Sequence, residues 1–146
     1  MIRFFRPAVV VLLVAVFLAG CGTAPPPPDA DPVVALEQAL TESIPISGEA
    51  AAGPDSWEFT LVGTSFDTST GAFTAQIEWP TLNAIHLADG TLIGDLLQFE
   101  EVDYVQQGDA ILNCQYVARI LWDQPRVEGT WGGCMGYEGT FWIVIP

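Results

Sequence analysis

Residues 57–79 read W-E-F-T-L-V-G-T-S-F-D-T-S-T-G-A-F-T-A-Q-I-E-W, and this stretch decides the fold. Apolar and polar residues alternate on both sides of its centre, which predicts two strands that each bury one face. The segment between them, 67–71, has the composition of a turn. The stretch therefore predicts an antiparallel hairpin with its aromatic side chains on one face, and Pro80 ends it.

Further strands are predicted after this hairpin. Ile85 and Leu87 lead to Asp89-Gly90, a dipeptide typical of two-residue hairpin turns. Residues 92–105 predict one long strand, or two strands broken near Gly94. Residues 110–122 predict the strongest strand. Its buried face is expected to comprise Leu112, Cys114, Tyr116, Ala118, Ile120 and Trp122.

The chain ends with two more predicted strands, 127–131 and 141–145, on either side of a glycine-rich loop, 132–139. Six to eight short antiparallel strands separated by turns are typical of a small barrel or sandwich. The sequence therefore predicts a mainly β domain over residues 56–146.

One short helix is expected before this domain. Asp31 can cap its start and Pro32 suits the first helical position. Apolar residues then recur at helical spacing, which predicts a helix over 32–43. Residues 47–55 are small and rich in turn formers, so residues 33–55 are interpreted as a short helix and a linker.

The N-terminus has the features of an export signal. Arg3 and Arg6 precede an apolar run, which ends at residues 18–21, L-A-G-C. Residues 1–21 resemble the lipobox signal of bacterial lipoproteins. The resemblance implies removal of residues 1–20 and lipidation of Cys21. Residues 21–32 would then be a lipidated, proline-rich tether. The expected location is the extracytoplasmic face of the cell membrane or the outer membrane.

The charge of the mature chain limits its partners. After residues 1–20 are removed, two arginines and no lysine remain against 18 acidic residues, a formal charge of −16. The electrostatic field of this negative charge opposes binding of nucleic acid. Apart from the membrane that holds the anchor, the expected partner is neutral, apolar or basic.

Two cysteines remain besides Cys21. Cys114 and Cys134 are expected to form a disulfide, because export places them where thiols oxidise. Two thiols and one histidine fall short of the four ligands that structural zinc usually has. The sequence therefore predicts no metal site and no cofactor.

Few residues suggest catalysis. Glu101 and Asp103 are expected to share one strand face at roughly the separation of a glycosidase carboxylate pair. The alternative is a solvated strand end. His86, the only histidine, has no serine motif beside it and is interpreted as a partly exposed structural residue. No catalytic residues are assigned.

Five tryptophans divide into two sets. Those in phase with apolar neighbours are expected in the core: Trp57, Trp79, Trp122 and Trp131. Trp142 is out of phase with Phe141 and Ile143. It is interpreted either as a partner contact or as a residue that packs against the N-terminal helix.

These features are consistent with three functions. The first is a non-enzymatic binding or structural lipoprotein of the cell envelope. The second is an acidic inhibitor of a basic enzyme, because anchored acidic β domains resemble periplasmic lysozyme inhibitors in gross features. The third is a glycosidase-type enzyme that uses Glu101 and Asp103.

Overall fold

A computed structural model describes residues 31–146 of the chain. The predicted signal peptide, the predicted lipidation site Cys21 and nearly all of the predicted tether lie outside the described residues.

The described chain contains one helix and eight strands. In order they are α1 (Pro32–Thr41), β1 (Ile46–Ala52), β2 (Asp55–Asp67), β3 (Ala72–Trp79), β4 (Ala84–Ile93), β5 (Leu96–Gln106), β6 (Gln115–Leu121), β7 (Arg126–Cys134) and β8 (Tyr137–Val144). A short 3-10 turn, Pro80–Leu82, links β3 to β4. Each strand pairs antiparallel with the next, and β8 pairs with β1 to close a barrel. The mainly β prediction is confirmed, with a barrel instead of a sandwich.

The hairpin of residues 57–79 forms as predicted. β2 and β3 pair from Thr60↔Glu78 to Asp67↔Ala72. Asp67 holds the turn, since its Oδ1 accepts hydrogen bonds from the Ser69 backbone N at 2.8 Å and from Ser69 Oγ at 2.6 Å. These bonds stabilise the carboxylate and hold the pKa of Asp67 below its usual value. The predicted inward face of β3 is buried: Phe73, Ala75, Ile77 and Trp79.

Helix α1 closes one end of the barrel. Its predicted cap is confirmed, since Asp31 Oδ1 accepts a hydrogen bond from the Val33 backbone N at 2.9 Å. The helix ends at Thr41, two residues before the predicted end. Leu36 and Leu40 are buried in the barrel core, and the Leu40 backbone packs directly on Gly63 of β2.

The up-and-down topology gives the barrel two different ends. The β1–β2, β3–β4, β5–β6 and β7–β8 connections lie together at what we call the open end. The other three connections lie with α1 at what we call the helix end. Among residues 31–146, no helix has the length and hydropathy needed to span a bilayer.

The linker prediction for residues 47–55 is wrong. This segment forms most of β1, which pairs with both β2 and β8, so the barrel begins at Ile46 instead of near Ser56. Small residues suit this strand because large neighbours occupy the space beside it. A Cβ at Gly48 would come within 2.7 Å of a side-chain atom of Ile143.

The turn predicted at Asp89-Gly90 is also wrong. Both residues lie inside β4, and the chain turns at 94–95. The alternative of two strands broken near Gly94 is therefore the one observed. The inward residues of β4 are Ala84, His86 and Ala88.

Two later strands have different bounds from those predicted. β6 starts at Gln115, and residues 110–114 belong to the preceding loop. β6 also ends at Leu121, so Trp122 lies in the following turn, 63% exposed, and is not a core residue. The predicted glycine-rich loop of 132–139 is mostly strand, since β7 runs to Cys134 and β8 starts at Tyr137.

Candidate ligand pocket at the open end

A cavity of about 260 Å³ opens at the open end of the barrel. Its walls combine aromatic rings with two carboxyl groups. The lining residues are Ala50, Trp57, Trp79, Leu82, Glu101, Asp109, Ala110, Ile111, Cys114, Tyr116, Trp131 and Tyr137. We call this cavity the pocket. Its volume lies just below the range for small-molecule sites, about 300–1,000 Å³.

Glu101 is the buried acidic group of the pocket. β5 alternates inward through Leu97, Phe99 and Glu101, which leaves Glu101 only 1% exposed. Trp79 Nε1 donates a hydrogen bond to Glu101 Oε1 at 3.0 Å, and Tyr116 Oη donates a longer one to the same atom at 3.4 Å. These two donors fix the carboxylate at the pocket wall, where a buried charge needs such partners.

His86 is another close neighbour of this carboxylate. It is fully buried, so the predicted partial exposure is wrong, because His86 occupies the inward phase of β4. Its Nδ1 is 3.3 Å from Glu101 Oε2, although the angle is not that of a hydrogen bond. The edge of its ring meets Tyr104, with ring centroids 5.1 Å apart. His86 does not line the pocket.

Tyr116 is buried beside the Glu101 carboxylate, and this position changes its pKa. Its ring stacks on Phe99 with centroids 4.3 Å apart and meets Phe141 edge-on at 5.2 Å. Burial and, after it, the nearby Glu101 carboxylate raise the pKa of Tyr116 well above its usual value. Tyr116 therefore stays a hydroxyl donor through the physiological range.

Glu101 and Asp103 do not form the predicted pair. Ala88 pairs with Glu101 and Leu87 pairs with Asp103, so Val102 is an extra residue that forms a bulge in β5. A bulge shifts the alternation of the strand that contains it. Glu101 consequently faces the interior, whereas Asp103 is exposed and accepts a hydrogen bond from the Tyr104 backbone N.

The loop of residues 107–114 forms one side of the pocket. Its Asp109 backbone N donates to Leu82 O at 2.8 Å, which joins the loop to the β3–β4 connection. Gly108 has a φ of 51°, and a Cβ there would collide with the Leu82 and Asn83 carbonyl oxygens. Only glycine combines that conformation with so close an approach.

The predicted disulfide joins the same loop to β7. Cys114 and Cys134 are bonded, with Cα atoms 4.7 Å apart, and Cys114 lines the pocket. The bond therefore connects the loop to the β7–β8 hairpin, whose Tyr137 also lines the pocket. The prediction of this bridge is confirmed.

The charged groups near the pocket are acidic. None of the twelve lining residues is basic, and Glu101 and Asp109 are both acids. The two arginines of the described chain are at the helix end. Arg119 Nη1 pairs with Asp95 Oδ1, and Arg126 Nε pairs with Glu128 Oε1, each at 2.8 Å.

The core prediction is confirmed for Trp79 and Trp131, and Trp57 packs against the core; all three also line the pocket. Trp79 and Trp131 are buried, and Trp57 is half-buried. Trp131 Nε1 donates to Ala51 O at 3.2 Å, which fixes its ring.

Trp142 lies elsewhere, half-buried on the outer barrel surface. The Arg126 guanidinium carbon is 4.6 Å from the centroid of its ring. Its cross-strand neighbours are Glu49 of β1 and Glu128 of β7. The main contacts of α1 are with β2, so the observed neighbour of Trp142 is Arg126 and not the helix.

Sequence reasoning missed Glu101 and His86 as neighbours. The period-two pattern Leu97, Phe99, Glu101 carried a signal, because it places Glu101 on the side of two large apolar residues. For His86 the signal was weaker, since its inward neighbours Ala84 and Ala88 are smaller than the outward Ile85 and Leu87.

Within residues 31–146, no three histidine, cysteine, aspartate or glutamate side chains cluster in a way that could hold a metal ion. Comparisons with family models, curated proteins and solved structures found no match to this chain.

Proposed function

We propose that this chain is a lipid-anchored binding protein of the cell envelope, which takes a small molecule into the pocket and catalyses no reaction on it. The observation that carries the proposal is the pocket itself. It is an open, largely apolar cavity with five aromatic side chains and a buried, hydrogen-bonded carboxylate at its wall. Small-molecule sites commonly combine an apolar lining with a few fixed polar groups.

The anchor is supported by the sequence alone. The L-A-G-C segment of residues 18–21 resembles a lipobox, and the proline-rich residues 22–32 would separate the barrel from the membrane. Cys21→Ser should abolish lipid labelling and release the protein from the membrane fraction. A variant that stays membrane-bound at unchanged mass would contradict the anchor.

A binding role is favoured over catalysis by the state of the acidic groups. Glu101 already accepts hydrogen bonds from Trp79 and Tyr116, and Asp103 faces away from it. The carboxylate pair on which the glycosidase alternative rested is thus not assembled.

The pocket can be tested with a small neutral probe. Intrinsic tryptophan fluorescence of the Cys21→Ser protein would be titrated with 3,3-dimethylbutan-1-ol, which does not itself fluoresce. We expect saturable binding that changes the fluorescence, because three tryptophans line the pocket.

A pocket-filling variant locates the binding. Ala110→Leu should weaken it at least tenfold by occupying pocket volume. Ala72→Leu, an exposed alanine at the helix end, is the matched control and should leave it unchanged. Equal effects of the two variants would refute binding in the pocket.

The second candidate is an acidic inhibitor of a basic enzyme. The formal charge of −16 after removal of residues 1–20 favours it, and Trp142 on the outer surface would be a partner contact. Charge-driven association weakens with salt. Inhibition of a basic hydrolase such as lysozyme that disappears at 1 M salt would support this candidate.

A further inference from the structure

We infer that the ligand of the pocket is a small organic cation, whose ammonium group lies against the aromatic walls with Glu101 as its buried counter-charge. This inference rests on the proposed function, and it names the chemical class of the ligand.

The walls of the pocket suit a cation. Five aromatic side chains line it: Trp57, Trp79, Tyr116, Trp131 and Tyr137. A ring face attracts an ammonium group electrostatically, most strongly for tryptophan and more strongly when water is excluded. Trp79 is 5% exposed and Trp131 is 8% exposed, so much of this surface lies away from bulk water.

Glu101 supplies a negative charge at a fixed place. Its side chain is 1% exposed, lines the pocket and is held by the Trp79 indole N–H and the Tyr116 hydroxyl. Both donors bond to Oε1. A carboxylate has about four acceptor positions, so two hydrogen bonds leave acceptor capacity on the group.

No basic residue within residues 31–146 lines the pocket. His86 Nδ1 is 3.3 Å from Glu101 Oε2, but His86 is not one of the lining residues. The two arginines of the described chain are engaged at the helix end. Asp109 adds a second acid to the lining. An anionic ligand would therefore meet only acidic charged residues in the lining, whereas a cation would be attracted.

The pocket volume limits the size of the ligand. About 260 Å³ suits a compact molecule, smaller than a typical drug-sized ligand. Choline is a suitable probe, because it has one permanent charge and a compact head. The alcohol 3,3-dimethylbutan-1-ol has the same shape without the charge, and 3,3-dimethylbutanoate has the opposite charge.

The test compares these three probes on the Cys21→Ser protein by titration calorimetry. We expect choline to bind at least tenfold more tightly than the neutral alcohol, and the carboxylate to bind more weakly than either. A choline-to-alcohol ratio below tenfold would overturn the inference, although the proposed function would survive if the alcohol binds in the pocket. Absence of binding by all three probes would overturn both.

Two variants identify the groups responsible. Glu101→Gln should lower choline affinity at least tenfold and leave the neutral alcohol within twofold, whereas the control Glu100→Gln, on the outward face of β5, should change neither. If Glu101→Gln fails to fold, Trp57→Leu replaces it. Trp57 is half-buried at the start of β2, and its loss should reduce choline affinity more than alcohol affinity. An equal loss for both probes would overturn the inference.

A further experiment distinguishes a free amine from a lysine side chain of a protein partner. A lysine side chain of a basic protein carries the same chemistry as a free amine. Binding of lysozyme to the pocket, without binding of choline or of free n-butylamine, would overturn the inference and favour the inhibitor candidate.

Discussion

Glu101 is held by three neighbours from three different strands, in addition to its proposed role as the counter-charge of a ligand. A carboxylate buried in an apolar interior is costly unless it is paired, and Glu101 has two donors and a neighbouring imidazole. The same three neighbours, Trp79, Tyr116 and His86, come from three different strands. Their contacts with Glu101 therefore also link β3, β4 and β6 to β5.

Replacing Glu101 should test this structural role. Glu101→Gln keeps the shape but removes the charge next to His86, and we expect it to lower the free energy of unfolding by about 1–3 kcal/mol. Urea denaturation measures the change. Glu100→Gln on the outward face is the control and should change stability by less than about 0.5 kcal/mol. Equal effects of the two substitutions would contradict the role of Glu101.

Tyr116 should make the fold sensitive to alkali. Because its pKa is raised in the folded state, the folded protein keeps a proton that the unfolded chain loses above about pH 10. Folding stability is then fully present below that pH and is lost as the pH rises further.

The measurement is a series of thermal melts between pH 8 and pH 11. The midpoint should fall above about pH 10, and Tyr116→Phe should show a smaller fall, since it has no proton to lose there. Tyr137→Phe, at an exposed tyrosine, is the control. A Tyr116→Phe profile parallel to that of the parent protein would refute this explanation.

The contact of α1 with β2 depends on the absence of a side chain at Gly63. A Cβ at Gly63 would overlap the Leu40 backbone. Ser43, just after the helix, donates a hydrogen bond from its Oγ to Gly63 O at 2.7 Å. The helix end of the barrel is thus closed by a backbone-to-backbone approach.

Gly63→Ala should displace α1 from the barrel. We expect a loss of about 1–3 kcal/mol in the free energy of unfolding, the usual range for overpacking. Gly132→Ala is a matched control, because a Cβ there meets nothing closer than 3.3 Å. Urea denaturation of the two variants measures the difference, and equal stabilities would show that the helix does not need the close approach.

The disulfide should stabilise the open end. It closes a loop of 20 residues, for which the chain-entropy model gives about 3 kcal/mol. The double variant Cys114→Ser, Cys134→Ser should therefore unfold at lower urea and bind probes in the pocket more weakly. Thiol titration of the unfolded, unreduced parent protein should find neither Cys114 nor Cys134 free. Reactive thiols from this pair would contradict the bond.

The strands could be predicted where apolar and polar residues alternate without a break. The predictions failed where packing against large neighbours decided the structure and local composition did not. The 57–79 hairpin was identified because both strands alternate and the turn is polar. Residues 47–55 contain small residues typical of a linker, yet the barrel uses them where large side chains leave little room. The bulge at Val102 moved Asp103 to the outside, and no local pattern indicates such an insertion.

The two ends of the barrel contain different groups. The helix end contains α1, from which the chain continues toward the N-terminus, together with both arginines. The open end contains the pocket and the disulfide. The sequence predicted the disulfide and most of the strands, though not β1, but the pocket required the barrel to close, since its lining comes from distant segments.

Together with the proposed lipid anchor, this difference between the two ends predicts how the protein is oriented on a membrane. Because α1 begins at the helix end, an anchor attached through Cys21 should hold that end nearer the membrane, even with a tether of up to ~34 Å. The full lipidated chain would be placed in vesicles that contain nitroxide lipids as quenchers. A dye attached at Asp123→Cys, in the β6–β7 turn, should be quenched more than one at Met135→Cys, in the β7–β8 turn. Stronger quenching at residue 135 would mean that the pocket faces the bilayer, and equal quenching would mean that the tether imposes no orientation. Either result would contradict the prediction.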